Sequence, residues 1–420
     1  MRSKHLRMDS LTTGIALSTP VAVALLTLLA TRSPVLAVGG LGVLLLIPLA
    51  LKLPEWVLAA GIVFTLAGGS FASFSTAGGL VLALGAFVAV IGAIAQGRAL
   101  PWRKALLPIV VLTSLGIRVA IEGDVVTLAD VVKAAAAVGL VLTSSHKFER
   151  LTFALGAAGL VFVFVSAVFG NTNELGTRFT GISGNSNRMV FALLVFLPFL
   201  LILTKRGTAL PLRLASAAGI VLSISLILAS GSSQGLVGLA AIVFILLLRG
   251  VLASSGGLRT LLLTATALCV LVAIQPAWRL ISGSEDLTTL SGRTPLYSAA
   301  WSVIRANPWL GTGLQSVSDA GIIDRSAHSA VLSLAATAGI PLALVWIAIM
   351  VILLSRTVAL ARHGNLLAAA AFVFIVEQLV QSVQILALTW VVVAYFLVLR
   401  PDGATVTEEE TSRTKEIHAR

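Results

Sequence analysis

A chain of 420 residues that is 58% hydrophobic and 11% charged, with a mean hydropathy of +1.03, is too apolar for a soluble domain, in which about 25% of residues carry charge. Its net charge of +12 does not mark a nucleic-acid binder, because the basic residues are scattered between apolar runs and form no patch. The single cysteine, Cys269, excludes an intrachain disulfide and a thiolate metal cluster.

Fourteen apolar runs follow one another along the chain: 12–30, 34–51, 56–71, 78–96, 105–121, 127–144, 151–169, 189–204, 212–229, 235–249, 260–276, 328–355, 366–382 and 384–399. A helix of about 20 apolar residues spans a bilayer. The predicted fold class is therefore an all-α polytopic membrane protein of about 12–14 transmembrane helices, with one large extracytoplasmic loop containing short helices. The first run follows a basic head, Arg2, Lys4 and Arg7, and is longer than the usual core of a cleavable signal. Residues 1–11 read as a cytoplasmic N-terminus, 12–400 as the transmembrane domain and 277–327 as the large loop within it. Residues 401–420 read as a solvated cytoplasmic tail.

Orientation follows from the bias of Lys and Arg toward the cytoplasm. If the N-terminus is inside, cytoplasmic segments hold 20 of the 29 basic residues. The outer segments hold seven: Arg32, Arg178, Arg188, Arg279, Arg293, Arg305 and Arg325. Six of those seven fall in two loops, 170–188 and 277–327. Arginine concentrated on this side points to an anionic group, because its planar fork bonds two oxygens at once.

In the shorter loop, Arg178 and Arg188 flank a Gly/Ser/Asn-rich turn, where backbone amides and a helix N-terminus can hold an anion. In the longer loop, Thr294 is placed to cap a helix that has Pro295 at its first position and ends before Asn307-Pro308. Leu296, Ala300, Val303 and Ile304 share one face of that helix with Trp301 beside it, as suits the membrane interface or a lid. His328 opens the twelfth run at the outer surface. It reads either as a water-facing helix-start residue or as a general base. Within the spans, Asp130 and Lys133 are spaced for an ion pair. Glu377 lies on one helix face with Gln381 and Gln384, lining a cavity or bonding neighbouring helices.

Three stretches, in order, resemble a known family. GTRFTGISGNSNRMVFALLVF is similar to the arginine, glycine-rich turn and Asn-x-Asn of O-antigen ligases and polymerases. SGRTPLYSAAWSVIRANPWLGTGLQ resembles their Ser-Gly-Arg, Trp and Pro-x-x-Gly-x-Gly. AHSAVLSLAATAGIPLALVWIAIM resembles the span that begins at their histidine. The resemblance covers roughly residues 176–355. It implies a metal-independent glycosyltransferase of the bacterial cytoplasmic membrane, needing no cofactor. The donor would be an oligosaccharide on undecaprenyl pyrophosphate, and the acceptor a glycan or glycolipid hydroxyl, in building a cell-envelope polysaccharide. By carry-over, Arg178 and Arg293 would bind the diphosphate and His328 would act on the acceptor hydroxyl. Arg188, Arg305, Asp324, Arg325 and Glu377 are secondary candidates. Two departures stand out: Ser232-Ser233-Gln234-Gly235 lacks an arginine found in many relatives, and His328-Ser329 replaces His-Asn.

Other readings predict different features. A peptidoglycan-type glycosyltransferase would need an essential loop acid, Asp319 or Asp324. A transporter or flippase of lipid-linked sugars would place charges and helix breaks at mid-membrane and show an internal repeat. A non-catalytic assembly factor would use the loop to bind a partner.

Overall fold

The computed structural model describes residues 46–68, 72–172, 178–205, 208–252, 293–313, 329–380 and 386–399. The runs 12–30 and 260–276, both chain ends and Cys269 lie outside these residues. So do three of the candidate site residues, Asp324, Arg325 and His328. After a helical stretch at 46–52 come α1 (Pro54–Ala67), α2 (Ala72–Ala95), α3 (Trp102–Glu122), α4 (Val125–Ser144) and α5 (Phe148–Phe169). A two-stranded hairpin of β1 (Asn171–Thr172) and β2 (Phe179–Gly181) follows. Next are α6 (Ser186–Leu203), α7 (Leu210–Ala229), α8 (Ser233–Leu252) and α9 (Arg293–Ala306). The last helices are α10 (Ala330–Ala338), α11 (Ile340–Arg362), α12 (Leu367–Val380) and α13 (Ala387–Val398).

The fold is all-α and polytopic, as the apolar runs predict. Hydrocarbon offers no partners for backbone N–H and C=O groups, so each crossing must satisfy its own as a helix. Among the described residues, six stretches are long and apolar enough to cross a membrane. One of them, Val125–Phe169, has 45 residues, more than twice the roughly 20 that a crossing needs. A 3-10 turn at Ser145–Lys147 divides it into α4 and α5.

Local signals set the helix ends. Asp124 caps α4, its carboxylate accepting from the Thr127 amide at 3.0 Å. Hydrogen bonds from the Thr127 side chain and then its backbone hold the Asp124 carboxyl below its ordinary pKa. Proline stands in the first turn of α1, α7 and α11, where a missing N–H leaves no bond unmade.

Helices α6 and α13 form the centre. From Met189 to Leu200 every residue of α6 is buried, as is every residue of α13, as expected of helices apolar on all sides. Aromatic rings lock α13 to its neighbours: Trp390 meets Trp346 of α11 at 5.3 Å, and Tyr395 meets Phe199 of α6 at 5.5 Å and Phe148 of α5 at 4.8 Å. The Tyr395 hydroxyl is 2.6 Å from the Thr152 hydroxyl, so the buried phenol keeps a hydrogen-bond partner.

Alternation of the helices sorts their ends into two layers. In one, Arg98 meets His146 at 3.3 Å, Lys147 Nζ donates to the Lys52 carbonyl at 3.2 Å, and Lys104 Nζ to that of Val398 at 3.4 Å. In the other, Lys133 Nζ pairs with Asp130 at 2.8 Å and donates to Ser75 Oγ at 3.1 Å. There too, Arg118 pairs with Glu122 at 2.7 Å. The predicted Asp130–Lys133 pair is thus present, and both intramembrane cations, Arg118 and Lys133, have partners.

The run 328–355, expected as one span, is broken. Helix α10 ends at Ala338, Gly339 adopts φ +91°, and α11 begins at Ile340. The turn after α9 lies across the break and uses its free backbone groups. Thr312 N donates to the Ala336 carbonyl at 2.9 Å, Gly313 N to Thr337 at 3.0 Å, and Ile340 N to Pro308 at 2.8 Å. A Cβ at Gly339 would collide with the Trp309 carbonyl, and one at Gly311 with Thr337. The loop helix ends at Ala306, ahead of Asn307-Pro308 as predicted, but already includes Arg293 at its start.

Gly339→Ala is expected to destabilise the protein by about 1–3 kcal/mol more than Gly97→Ala. Both glycines have positive φ, but a Cβ at Gly97 meets nothing within 4 Å. Thermal unfolding of the two variants in detergent checks this, and equal midpoints would remove the steric contribution at the break.

Candidate outer-layer site

The layer that holds Lys133 also holds the turn before α6, which carries Arg188, and that turn meets the one between α7 and α8, over which Arg178 rests. Gly170, extended after α5, leads into the hairpin, in which Asn171 pairs with Gly181 and Thr172 with Phe179. Thr180 Oγ1 donates to the Asn171 carbonyl at 2.8 Å. Gly181 has φ +58°, and a Cβ there would crowd Met189 at the start of α6. Chain reversal and close approach to α6 therefore both depend on this glycine. The hairpin is a feature that the apolar periodicity does not predict.

Ser183 Oγ lies 2.9 Å from the carbonyls of both Thr180 and Asn185 and shapes the turn before α6. Asn185 caps that helix: its Oδ1 accepts from the amides of Asn187 at 2.9 Å and Arg188 at 3.2 Å. Two of the amides expected to be available for an anion are therefore already bonded within the chain.

Arg178 is exposed and its stem rests over the turn between α7 and α8, since a Cβ at Gly231 would lie 3.9 Å from its Cγ. The same turn is tied to α6 by Ser232 Oγ, which donates to Asn187 Oδ1 at 3.2 Å. Two short segments distant in sequence therefore meet: 178–188 and the uncharged turn at 230–232 that leads into α8. Arg188 is also exposed and borders a cavity of about 120 Å³ that Lys133, Asp130 and Ser183 help to line.

The segment Ser232–Gly235, one arginine short of the pattern described above, directs Gln234 inward. Its Nε2 donates to Glu377 Oε2 of α12. Gln234 is 3% exposed, and Glu377 and Gln378 are fully buried. Gly238 leaves room for the carboxylate, since a Cβ there would stand 3.0 Å from Glu377 Oε1. Glu377 thus bonds neighbouring helices, the second of its two predicted roles. Gln381 and Gln384 lie outside the described residues.

Helix α9 covers part of this layer. Ala299, Ala300, Val303 and Ile304 are buried, and the helix packs on α10. Trp301 is exposed with the Arg305 guanidinium 5.6 Å from its ring centre, a cation–π pair that holds Arg305 at the surface. Arg293 is the first residue of α9. Ser329, which follows His328, is buried where α10 begins.

Sequence spacing reads Lys133 only as the partner of Asp130. Its approach to Ser75, 58 residues away, and its position on the cavity beside Arg188 depend on packing between α2, α4 and α6. The one local sign was Gly79, whose missing side chain makes room for the Lys133 stem. Among the described residues, no group of three or more His, Cys, Asp or Glu is arranged to hold a metal ion.

Removing the Asn185 cap is expected to lower stability by about 1 kcal/mol. Asn185→Ala should reduce the unfolding midpoint in detergent while Asn185→Asp retains most of it. Equal midpoints for wild type and Asn185→Ala would show that the cap does not anchor the turn.

Comparison with known protein families adds an independent finding. Residues 185–347 match the family model described as O-antigen ligase, within the region whose motif order resembles that family. No curated protein matches the chain.

Proposed function

We propose that this chain, a polytopic membrane protein of the O-antigen ligase/polymerase family by its residues 185–347, is a metal-independent glycosyltransferase of cell-envelope polysaccharide assembly. It takes a glycan from undecaprenyl pyrophosphate and joins it to an acceptor hydroxyl at the outer face of the bacterial cytoplasmic membrane. One observation supports the reading most: Arg178 rests over the turn between α7 and α8, Arg188 borders the Lys133 cavity, and the turn that follows Arg305 reaches Glu122 at the end of α3.

The chemistry needs a charge sink and a proton acceptor. As the bond between the anomeric carbon and the diphosphate oxygen breaks, negative charge grows on the leaving group. Arg178 and Arg293 would bind it, and fixed cations that meet charge as it develops lower the barrier. The acceptor oxygen forms the new bond to the anomeric carbon, and its proton passes to His328 as general base. Glu377, bonded to Gln234 inside the bundle, has a structural role in this scheme.

Two experiments test the proposal. With lipid-linked glycan and acceptor in vesicles, Arg178→Ala and Arg293→Ala should each reduce transfer by about 100-fold or more while leaving membrane insertion intact. For His328→Ala the loss should be greatest near neutral pH, and an unchanged rate and pH profile would remove it as the base. Orientation is tested in a Cys269→Ser background. A cysteine at Asn307 should react with an impermeant thiol reagent applied outside intact cells, and one at Gln96 should not. The reverse pattern would place the arginine layer in the cytoplasm.

A further inference from the structure

We infer that the cavity between α1, α2, α4 and the start of α6 binds one phosphodiester, as an anion site separate from the diphosphate ligands proposed above. Neither Arg178 nor α9 lines this cavity. Apart from Ser183 and Arg188, its lining comes from outer ends of helices such as α1, α2, α4 and α13. The inference does not depend on the transfer reaction.

The cavity is built around Lys133. Its side chain is only 16% exposed, and a lysine taken out of water within an apolar bundle costs several kcal/mol unless it is compensated. Asp130 at 2.8 Å and Ser75 Oγ at 3.1 Å hold the ammonium in place. An ammonium has three donors, so these two contacts leave one N–H for a ligand. The stem runs over Gly79, where a Cβ would come within 2.7 Å of Lys133 Cε. That glycine provides the space through which the lysine reaches the cavity.

Arg188 supplies the second cation, at the rim. Among the described residues, no hydrogen bond or ion pair holds its guanidinium. The charges facing the cavity are Lys133, Arg188 and Asp130, whose carboxylate is 44% exposed and already bonded to Lys133. Their sum is one positive charge, which matches a monoanion. A phosphodiester carries one negative charge at neutral pH, whereas a phosphomonoester carries about 1.5 to 2. The volume of about 120 Å³ is well above the roughly 10–15 Å³ that one water occupies on this measure, so the cavity has room for a small polar group. Leu386 and Leu388 give one wall an apolar surface, suited to the carbon substituents of a diester. Two sources share this chemistry, a phospholipid headgroup and a phosphodiester within a glycan.

Native mass spectrometry of the full-length protein in detergent tests the site, with phosphatidylglycerol as probe and glycerophosphoglycerol as a soluble competitor without acyl chains. The wild type should retain phosphatidylglycerol, and Arg188→Gln, at an exposed position, should weaken retention about tenfold or more. Lys133→Met should act in the same direction. Arg118→Gln, whose arginine lies in the same layer but does not line the cavity, should leave retention unchanged. Displacement by the soluble competitor at similar concentration would support a glycan-borne diester, and its failure to compete would support a lipid headgroup. Equal retention by wild type and Arg188→Gln, or no retention of either probe by the wild type, would overturn the inference.

Discussion

The layer of helix ends that holds Lys133 depends on one backbone arrangement, the clasp between the turn at 308–313 and the break at Gly339. A helix interrupted within an apolar bundle leaves carbonyls and amides that hydrocarbon cannot satisfy. Here the carbonyls of Ala336 and Thr337 receive amides from Thr312 and Gly313, and the Ile340 amide finds the Pro308 carbonyl. The break is therefore tolerated only because the turn is in place, and the turn is ordered by the break. Gly311 and Gly339 make the approach possible, because a Cβ at either would meet backbone of the other segment. Helix α9 on one side and α10 on the other are fixed as one unit.

The rest of the layer is arranged around a buried centre. Helix α6 carries Asn185 and Arg188 at its N-terminal end and is enclosed along the rest of its length, so a charged turn stands on a rigid support. Polar contacts then join segments that the chain keeps far apart: Ser232 with Asn187, Gln234 with Glu377, and Lys133 with Ser75. Buried polar groups that find partners restrict a bundle to one arrangement more sharply than apolar contacts do. The uncharged connection between α7 and α8 thus has a clear task, since it seats Arg178 on one side and directs Gln234 inward on the other.

Much of the fold is legible in the sequence, because hydropathy in a membrane protein reports on single helices. The runs from 56 to 249 each correspond to a helix, with ends displaced by a few residues where proline, Asp124 or Asn185 sets the start. The Asp130–Lys133 pair is likewise a matter of helical spacing. What the sequence does not disclose depends on contact between distant segments. Gly339 looks like one more small residue in an apolar run until the 308–313 turn is seen beside it. Two of the amides before α6 that the sequence offers to an anion are occupied for a local reason, the Asn185 side chain. For the candidate site, Arg178, Arg188 and Arg305 are all exposed, as arginines of connecting segments should be. The cavity that pairs Arg188 with Lys133 requires packing among helices that no motif connects.

Trp309 and Leu310 give the clasp a further property. Both side chains are about three-quarters exposed, at 75% and 72%, on the same turn whose carbonyl abuts Gly339. Tryptophan settles at the boundary between headgroups and hydrocarbon, a position that would set this turn at the surface of the bilayer. Any displacement of the turn along the membrane normal would then act on the junction of α10 and α11, through a glycine with no side chain of its own.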